Sequence, residues 1–223
     1  MITVGRRGLL LGASGALLAV GAGVGLASCN KAGGGAGPSP DDMSIGDPNA
    51  PAKLIEYASL TCPHCEEFEK EVWDRLKANY IDTGKVFFTL REFPAPAALA
   101  PIAVAEFQLA RCNGADANTY FTRVKSLFAQ REAILATGTM DGVKQKLVEF
   151  GASANLSEQQ VMACITDEAG AQRIQRIVES GEKDFNVTGT PTFVLNGTRV
   201  DDPSVTSYEG LARLLDAAIA AHH

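Results

Sequence analysis

Cysteine is scarce in this chain of 223 residues. There are five, too few for a disulfide-built mini-scaffold, so the fold must rest on a conventional apolar core. Basic runs are missing as well, and the formal charge is −6. Such a surface repels phosphates and excludes a general nucleic-acid binder. Long uncharged runs are absent except at the N-terminus, which excludes a multispan membrane protein. What is present is 46% apolar and 21% charged residues, enough apolar material for a core and too much for a disordered tail. At roughly 150 residues per domain the length gives between one and two domains.

The first residues read as an address. Arg6 and Arg7 form a positive n-region, and the weakly hydrophobic, Gly- and Ala-rich run from Gly8 to Ala27 follows. Residues 1–28 are therefore expected to be an export signal. The paired arginines with Leu9 and Leu10 resemble a twin-arginine leader, the general secretory route being the alternative. Leu26-Ala27-Ser28-Cys29 resembles a bacterial lipoprotein cleavage box, which would make Cys29 a lipid attachment site. Residues 29–42, rich in Gly, Ala and Pro, are expected to be a flexible tether with an r.m.s. reach of roughly 20 Å at about 5–6 Å per √n. An exported protein meets an oxidising compartment, where paired thiols tend to be disulfides.

The rest reads as an α/β domain interrupted by helices. Lys53-Leu54-Ile55-Glu56-Tyr57-Ala58 has the short apolar character of a buried strand. A helix follows with Cys62 at its N-cap and Pro63 at its first position, where a missing N–H costs nothing. Phe68, Val72 and Leu76 mark its core face. Lys85 to Leu90 is the next strand and completes a β-α-β unit. From Pro94 to about Glu182 the periodicity is helical throughout, with one face at Ile102, Val104, Phe107 and Leu109 and another at Phe121, Val124, Leu127 and Phe128. Strand character returns at Pro191 to Leu195. Asn196-Gly197 predicts a tight hairpin with Thr198 to Val200. Thr206-Ser207-Tyr208-Glu209 reads as a capping box opening a last helix that buries Leu211, Leu214, Leu215 and Ile219. Residues 43–93 plus 185–223 form one domain on this reading, and 94–184 an all-helical insert.

Chemistry concentrates at Cys62-Pro63-His64-Cys65. Two residues between cysteines at a helix start bring the sulfurs within bonding range. The first sulfur faces the free N–H groups and the positive end of the helix dipole. Cys62 is thus expected to be an accessible, low-pKa nucleophile, with Cys65 one turn inside. The dipole contributes at most ~2 kcal/mol, or about 1.5 pKa units, and ~1.4 kcal/mol of extra stability in the reduced state raises a two-electron potential by about 30 mV. His64 would add a donor or a positive charge. Glu66, Glu67, Glu69 and Glu71 are expected to form a solvated helix face. Zinc would need two more ligands, yet no second C-x-x-C exists and the other histidines, His222 and His223, end the chain; no metal is expected. A copper-handling or client-holding protein using the two thiols is the alternative of another class.

The Cys-Pro-His-Cys motif after Ile55-Glu56-Tyr57, together with Gly189-Thr190-Pro191-Thr192-Phe193 near the far end, resembles the DsbA family of thiol:disulfide oxidoreductases over about Met43 to Ala221. That resemblance implies a thioredoxin-like fold with an inserted helical subdomain and an oxidase that introduces disulfides into secreted proteins, a reductase or isomerase being the nearest alternative. It implies that Pro191 is a cis-proline packed against the active disulfide and that Thr190 tunes redox behaviour and client release. Glu56 is implied to be a buried acid managing the proton of the buried thiol. The redox disulfide Cys62–Cys65 would serve in place of a cofactor. Reduced or unfolded exported polypeptides would be the clients of a monomer in the periplasm or cell envelope, and a DsbB-like quinone-linked membrane protein the reoxidant.

Cys112 and Cys164 both fall in the insert. Two separate buried thiols or one bond would fit the residues; export and co-location favour a structural bond, which some DsbA relatives also carry. Asn155, Asn186 and Asn196 match the glycosylation sequon by chance, given the bacterial-type leader.

Overall fold

A computed structural model describes residues 39–222. The export signal, Cys29 and most of the tether lie outside the described residues. Five strands form one mixed sheet in the order β1-β3-β2-β4-β5: β1 Met43–Ile45, β2 Ala52–Ala58, β3 Val86–Glu92, β4 Thr192–Leu195 and β5 Thr198–Arg199. Strands β2 and β3 run parallel, and β1–β3, β2–β4 and β4–β5 are antiparallel. Helix α1, residues 63–81, bridges β2 and β3. Helices α2 Ala100–Ala110, α3 Ala117–Leu135, α4 Met140–Ser153, α5 Glu158–Ile165 and α6 Glu168–Phe185 follow before β4, and α7 Tyr208–Ala220 ends the fold. This is a thioredoxin-like α/β fold with a helical insertion. Among the described residues no helix is long and apolar enough to cross a membrane.

The pleat of β2 decides what lies under the thiols. Alternate side chains point to opposite faces. Leu54 and Ala58 join the larger core with Cys62, Cys65 and Phe68, whereas Ile55 and Tyr57 join a smaller cluster with Phe93, Ile177, Phe185 and Val194. Both faces are covered, as expected for a sheet whose central pair is parallel. Glu56 therefore projects into the larger core, on the face that carries the cysteines. On the other face Gly181 of α6 admits Tyr57: a Cβ there would stand 2.6 Å from the ring, so only glycine allows this approach.

Several details differ from the sequence expectation. The tether is shorter at its inner end, because Asp42 forms a buried pair with Arg91 at 2.9 Å and Asp41 is held by Arg176 and, through its carbonyl, by Arg111. Residues 43–45, read only as the start of the domain, add an edge strand. Helix α1 contains two π-helical stretches, Glu69–Trp73 and Lys77–Ile81. The widened turns keep both Val72 and Trp73 buried, and Trp73 packs against Phe88 and Phe121 with centroids 5.0 and 5.5 Å away. The last helix is capped one residue later than the motif suggested: Ser207, not Thr206, accepts from Gly210 N–H, since Thr206 is taken up in the preceding 3-10 turn and donates to Pro203 O. Leu214 and Ile219 are half-buried, not core, as is Val104 on α2. Asn196 and Gly197 both adopt positive φ, +47° and +81°, the backbone that the predicted hairpin demands. Asn155 and Asn186 also sit at positive φ, so these three asparagines serve as left-handed turn and cap residues.

Candidate active site

The thiols are placed by a short turn at the carboxyl end of β2. Ser59 and Thr61 are buried, their hydroxyls 3.1 Å apart. Thr61 Oγ1 donates to Ala95 O at 3.0 Å, and Ala95 N–H donates to Ser59 Oγ at 3.2 Å. This stitch ties the turn to the start of the insert. Cys62 is the N-cap of α1 with extended backbone, Pro63 opens the helix, and no side chain caps it. The free N–H groups of the first turn are thus left to the sulfur.

Cys62 is more enclosed than the sequence suggests, 6% exposed, with Cys65 at 1%. The segment before β4 covers them. Thr190-Pro191 is a cis peptide bond, and Cys62 Sγ donates to Thr190 O at 3.2 Å. Thr192 Oγ1 donates to Gly189 O at 2.7 Å within the same turn, while Phe193 packs on Phe68 with centroids 4.9 Å apart. Sequence positions about 130 residues apart, Cys62 and Pro191, are therefore brought together. The ring of His64 stands outside this enclosure, 74% exposed and 3.6 Å from Glu67. A cleft of about 650 Å³ opens beside it, lined in part by Phe68, Pro191 and Tyr208.

The two thiols are driven in opposite directions. Cys62 is held well below the usual thiol range, at about 5, first by a hydrogen bond from Cys65, then, against the opposing effect of burial, by the Thr190 side chain and the backbone N–H groups of Cys65 and His64. Burial pushes Cys65 well above the usual range, helped by its bond to Cys62 and by the nearby Glu56 carboxyl. Glu56 is 4% exposed. Burial, then Glu69, then Cys62 raise its carboxyl well above the ordinary value. The arrangement can do thiol–disulfide exchange: an outer sulfur stable as an anion, and an inner one kept protonated beside a buried acid.

The acidic stretch after the motif is not a solvated face throughout. Glu67 and Glu71 are exposed, but α3 packs across the others. Glu66 pairs with Lys70 and Arg131. Glu69 leaves Oε1 buried and unpartnered, and burial raises its carboxyl to about 8 against the pull of Lys125. The helical repeat could have signalled this, because residue 69 lies one turn beyond Cys65 on the same face. Arg131 and the Ser59–Thr61 stitch had no comparable local signal. Away from this site, Cys112 and Cys164 form a disulfide with Cα atoms 5.5 Å apart. Among the described residues no group of three His, Cys, Asp or Glu side chains is placed to hold a metal.

A β-α-β start carrying the cysteines, a cis-proline across from them and a helical insertion define a thioredoxin-class protein. The chain belongs to the thioredoxin family, whose model matches residues 38–217, and within it the likeness is to DsbA proteins. The crystal structure of Wolbachia pipientis alpha-DsbA1 superposes with a TM-score of 0.70 at 26% identity, covering 83% of this chain and 94% of that one. BdbD of Bacillus subtilis shares the fold at 16% identity and TM-score 0.69, over 84% and 97% of the two chains. A Rickettsia typhi protein carrying the name protein-disulfide oxidoreductase is 27% identical over 80% of this chain, which spans 62% of that relative's length.

Proposed function

We propose that this protein is an exported thiol-disulfide oxidoreductase acting as an oxidase of other polypeptides, through a reversible Cys62–Cys65 disulfide. A client thiolate attacks Cys62 Sγ. The Cys62–Cys65 bond breaks, and Cys65 leaves with the electron pair and takes up a proton, for which Glu56 is the adjacent buried donor. The client's second thiolate then attacks its own sulfur in the mixed disulfide and expels Cys62 as thiolate. The client loses two electrons and the enzyme gains them. Thr190 and Pro191 would hold the client backbone over Cys62, with the neighbouring cleft receiving the rest of the segment.

The observation that carries this reading is the asymmetry of the thiols. A leaving sulfur of low pKa departs faster, and whatever stabilises its anion stabilises the reduced enzyme. With Cys62 at about 5, the thiolate adds ~2.7 kcal/mol to the reduced form at pH 7, which corresponds to about 60 mV more oxidising. Clients would be reduced or unfolded exported polypeptides in the periplasm or cell envelope. The protein would work as a monomer. A DsbB-like quinone-linked membrane protein would take the electrons, and acylation of Cys29 would hold the enzyme near it. The test is oxidation of a reduced test protein by the purified Cys62–Cys65 disulfide form, with the reduction potential measured against glutathione. Rapid oxidation and a potential well above that of thioredoxin, about −270 mV, support the oxidase. A thioredoxin-like potential makes it a reductase, and copper binding without turnover makes it a binding protein. Trapping mixed disulfides on Cys65→Ala identifies the clients.

A further inference from the structure

Helix α3 of the insert reaches the redox turn through one side chain. Arg131 Nε donates to Thr61 O at 3.1 Å, and Nη1 donates to Glu66 Oε2 at 2.9 Å. Thr61 immediately precedes Cys62, and Glu66 lies in the first turn of α1, where its N–H bonds the Cys62 carbonyl at 3.2 Å. One planar fork thus spans the two sides of the nucleophile's own residue. The Arg131 side chain is only 18% exposed, so its hydrogen bonds are shielded from competing water. A second acid faces it from α2: Glu106 is fully buried with neither oxygen partnered, and Arg131 is the cation whose charge acts on it. Of the two acids, Glu66 takes the hydrogen bond.

We infer that Arg131 is a positioning residue for the redox turn, fixing the Thr61 carbonyl and Glu66 so that the first N–H groups of α1 converge on Cys62 Sγ. The physical basis is geometric. A lysine carries the same charge but is a point donor that cannot reproduce the fork. Without the fork the Thr61 carbonyl is free to turn, the N-cap geometry that leaves N–H groups to the sulfur loosens, and Glu66, an acid in the first turn of the same helix, is left with only Lys70 to offset its charge. All three changes disfavour the Cys62 anion. The effect holds for oxidation and reduction alike, so it rests on Cys62–Cys65 being the redox pair and not on the direction of electron flow.

The test uses Arg131→Met and Arg131→Lys, with Lys146→Met as control. Lys146 is a cation of the insert, on α4, whose partner is the exposed Glu149. Three quantities are read: the pH titration of Cys62 in the reduced protein, the reduced fraction at fixed glutathione ratio, and thermal unfolding of the oxidised form. In Arg131→Met the Cys62 midpoint rises by half a pH unit or more and the equilibrium constant for reduction falls at least threefold. Arg131→Lys lies between it and the parent, and Lys146→Met matches the parent. A purely structural side chain would lower the unfolding temperature and leave the titration and the equilibrium unmoved; that result overturns the inference. So does a shift in Lys146→Met as large as that in Arg131→Met, which would mark diffuse charge. Should Arg131→Met not fold, Arg131→Lys decides: a displaced Cys62 midpoint supports the assignment, and parental values refute it.

Discussion

Cys112 and Cys164 stand 52 residues apart in sequence and meet where the turn after α2 touches α5, away from any helix start. Cys62 and Cys65 stand on one turn of α1, with the first sulfur over unused N–H groups and the second under the core. Both pairs sit in largely buried surroundings, yet only one has anything to gain from being broken. Cys112 follows the end of α2 and Cys164 lies in the last turn of α5, so neither sulfur sits at a helix N-terminus. At the redox turn the protein has arranged donors for one sulfur and an acid beside the other. On the proposed reading, helix-start placement, more than burial, separates the working disulfide from the structural one.

Four experiments test this contrast. Removing the nucleophile has the largest effect: Cys62→Ala should lower oxidation of a reduced test protein by on the order of 10³-fold or more. Unfolding of the oxidised parent by denaturant, compared with Cys112→Ala/Cys164→Ala, should show a loss of about 4 kcal/mol, the chain-entropy value for a loop of this length. Exchange rate per folded molecule should change less than twofold, and a tenfold fall would give the insert pair a redox role.

The third experiment compares unfolding of the reduced and oxidised forms across pH. Cys62 is lowered in the folded dithiol, so its stabilisation of the reduced form is full above the unfolded thiol value and is lost as pH falls through about 5. The gap between the two forms should change by ~2.7 kcal/mol between pH 7 and pH 4. A pH-independent gap would contradict the electrostatic account. The smallest effect concerns Glu106, which burial raises to about 8. A raised carboxyl supports the fold below its unfolded value and withdraws that support as pH rises through about 8. Glu106→Met should therefore gain stability over the parent at about pH 5.5 relative to pH 4, by roughly 1–2 kcal/mol, because over that range the unfolded carboxyl ionises and the buried one does not. Equal differences at both pH values would show that this carboxyl does not ionise as its burial implies.

Much of the fold was legible because its signals are local. The apolar run at Leu54–Ala58, Cys62-Pro63 at a helix start and Asn196-Gly197 each carry their own geometry. The edge strand Met43–Ile45 was not, since three residues have no period to read and gain their order from pairing with Phe88–Leu90. The docking of residues 39–42 was hidden for a similar reason: two aspartates after a Gly- and Pro-rich stretch say nothing about Arg91, Arg111 and Arg176 waiting elsewhere. At the site, the cysteine pair and the Thr190-Pro191 partner were visible as motifs. The positions of Glu56 and Glu69 depended on which faces the sheet and the insert would cover. Arg131 was out of reach, because its partners lie 65 and 70 positions away and no motif links them.

The proposed exchange depends on where Cys62 loses its proton. Ultraviolet absorbance of the thiolate, followed against pH in the reduced protein and in Cys65→Ala, measures it directly. A Cys62 midpoint near 5 in the reduced protein, higher in Cys65→Ala because the leading hydrogen-bond donor is gone, is the predicted result. A midpoint above about 8 in both, the range of an ordinary thiol, would contradict it.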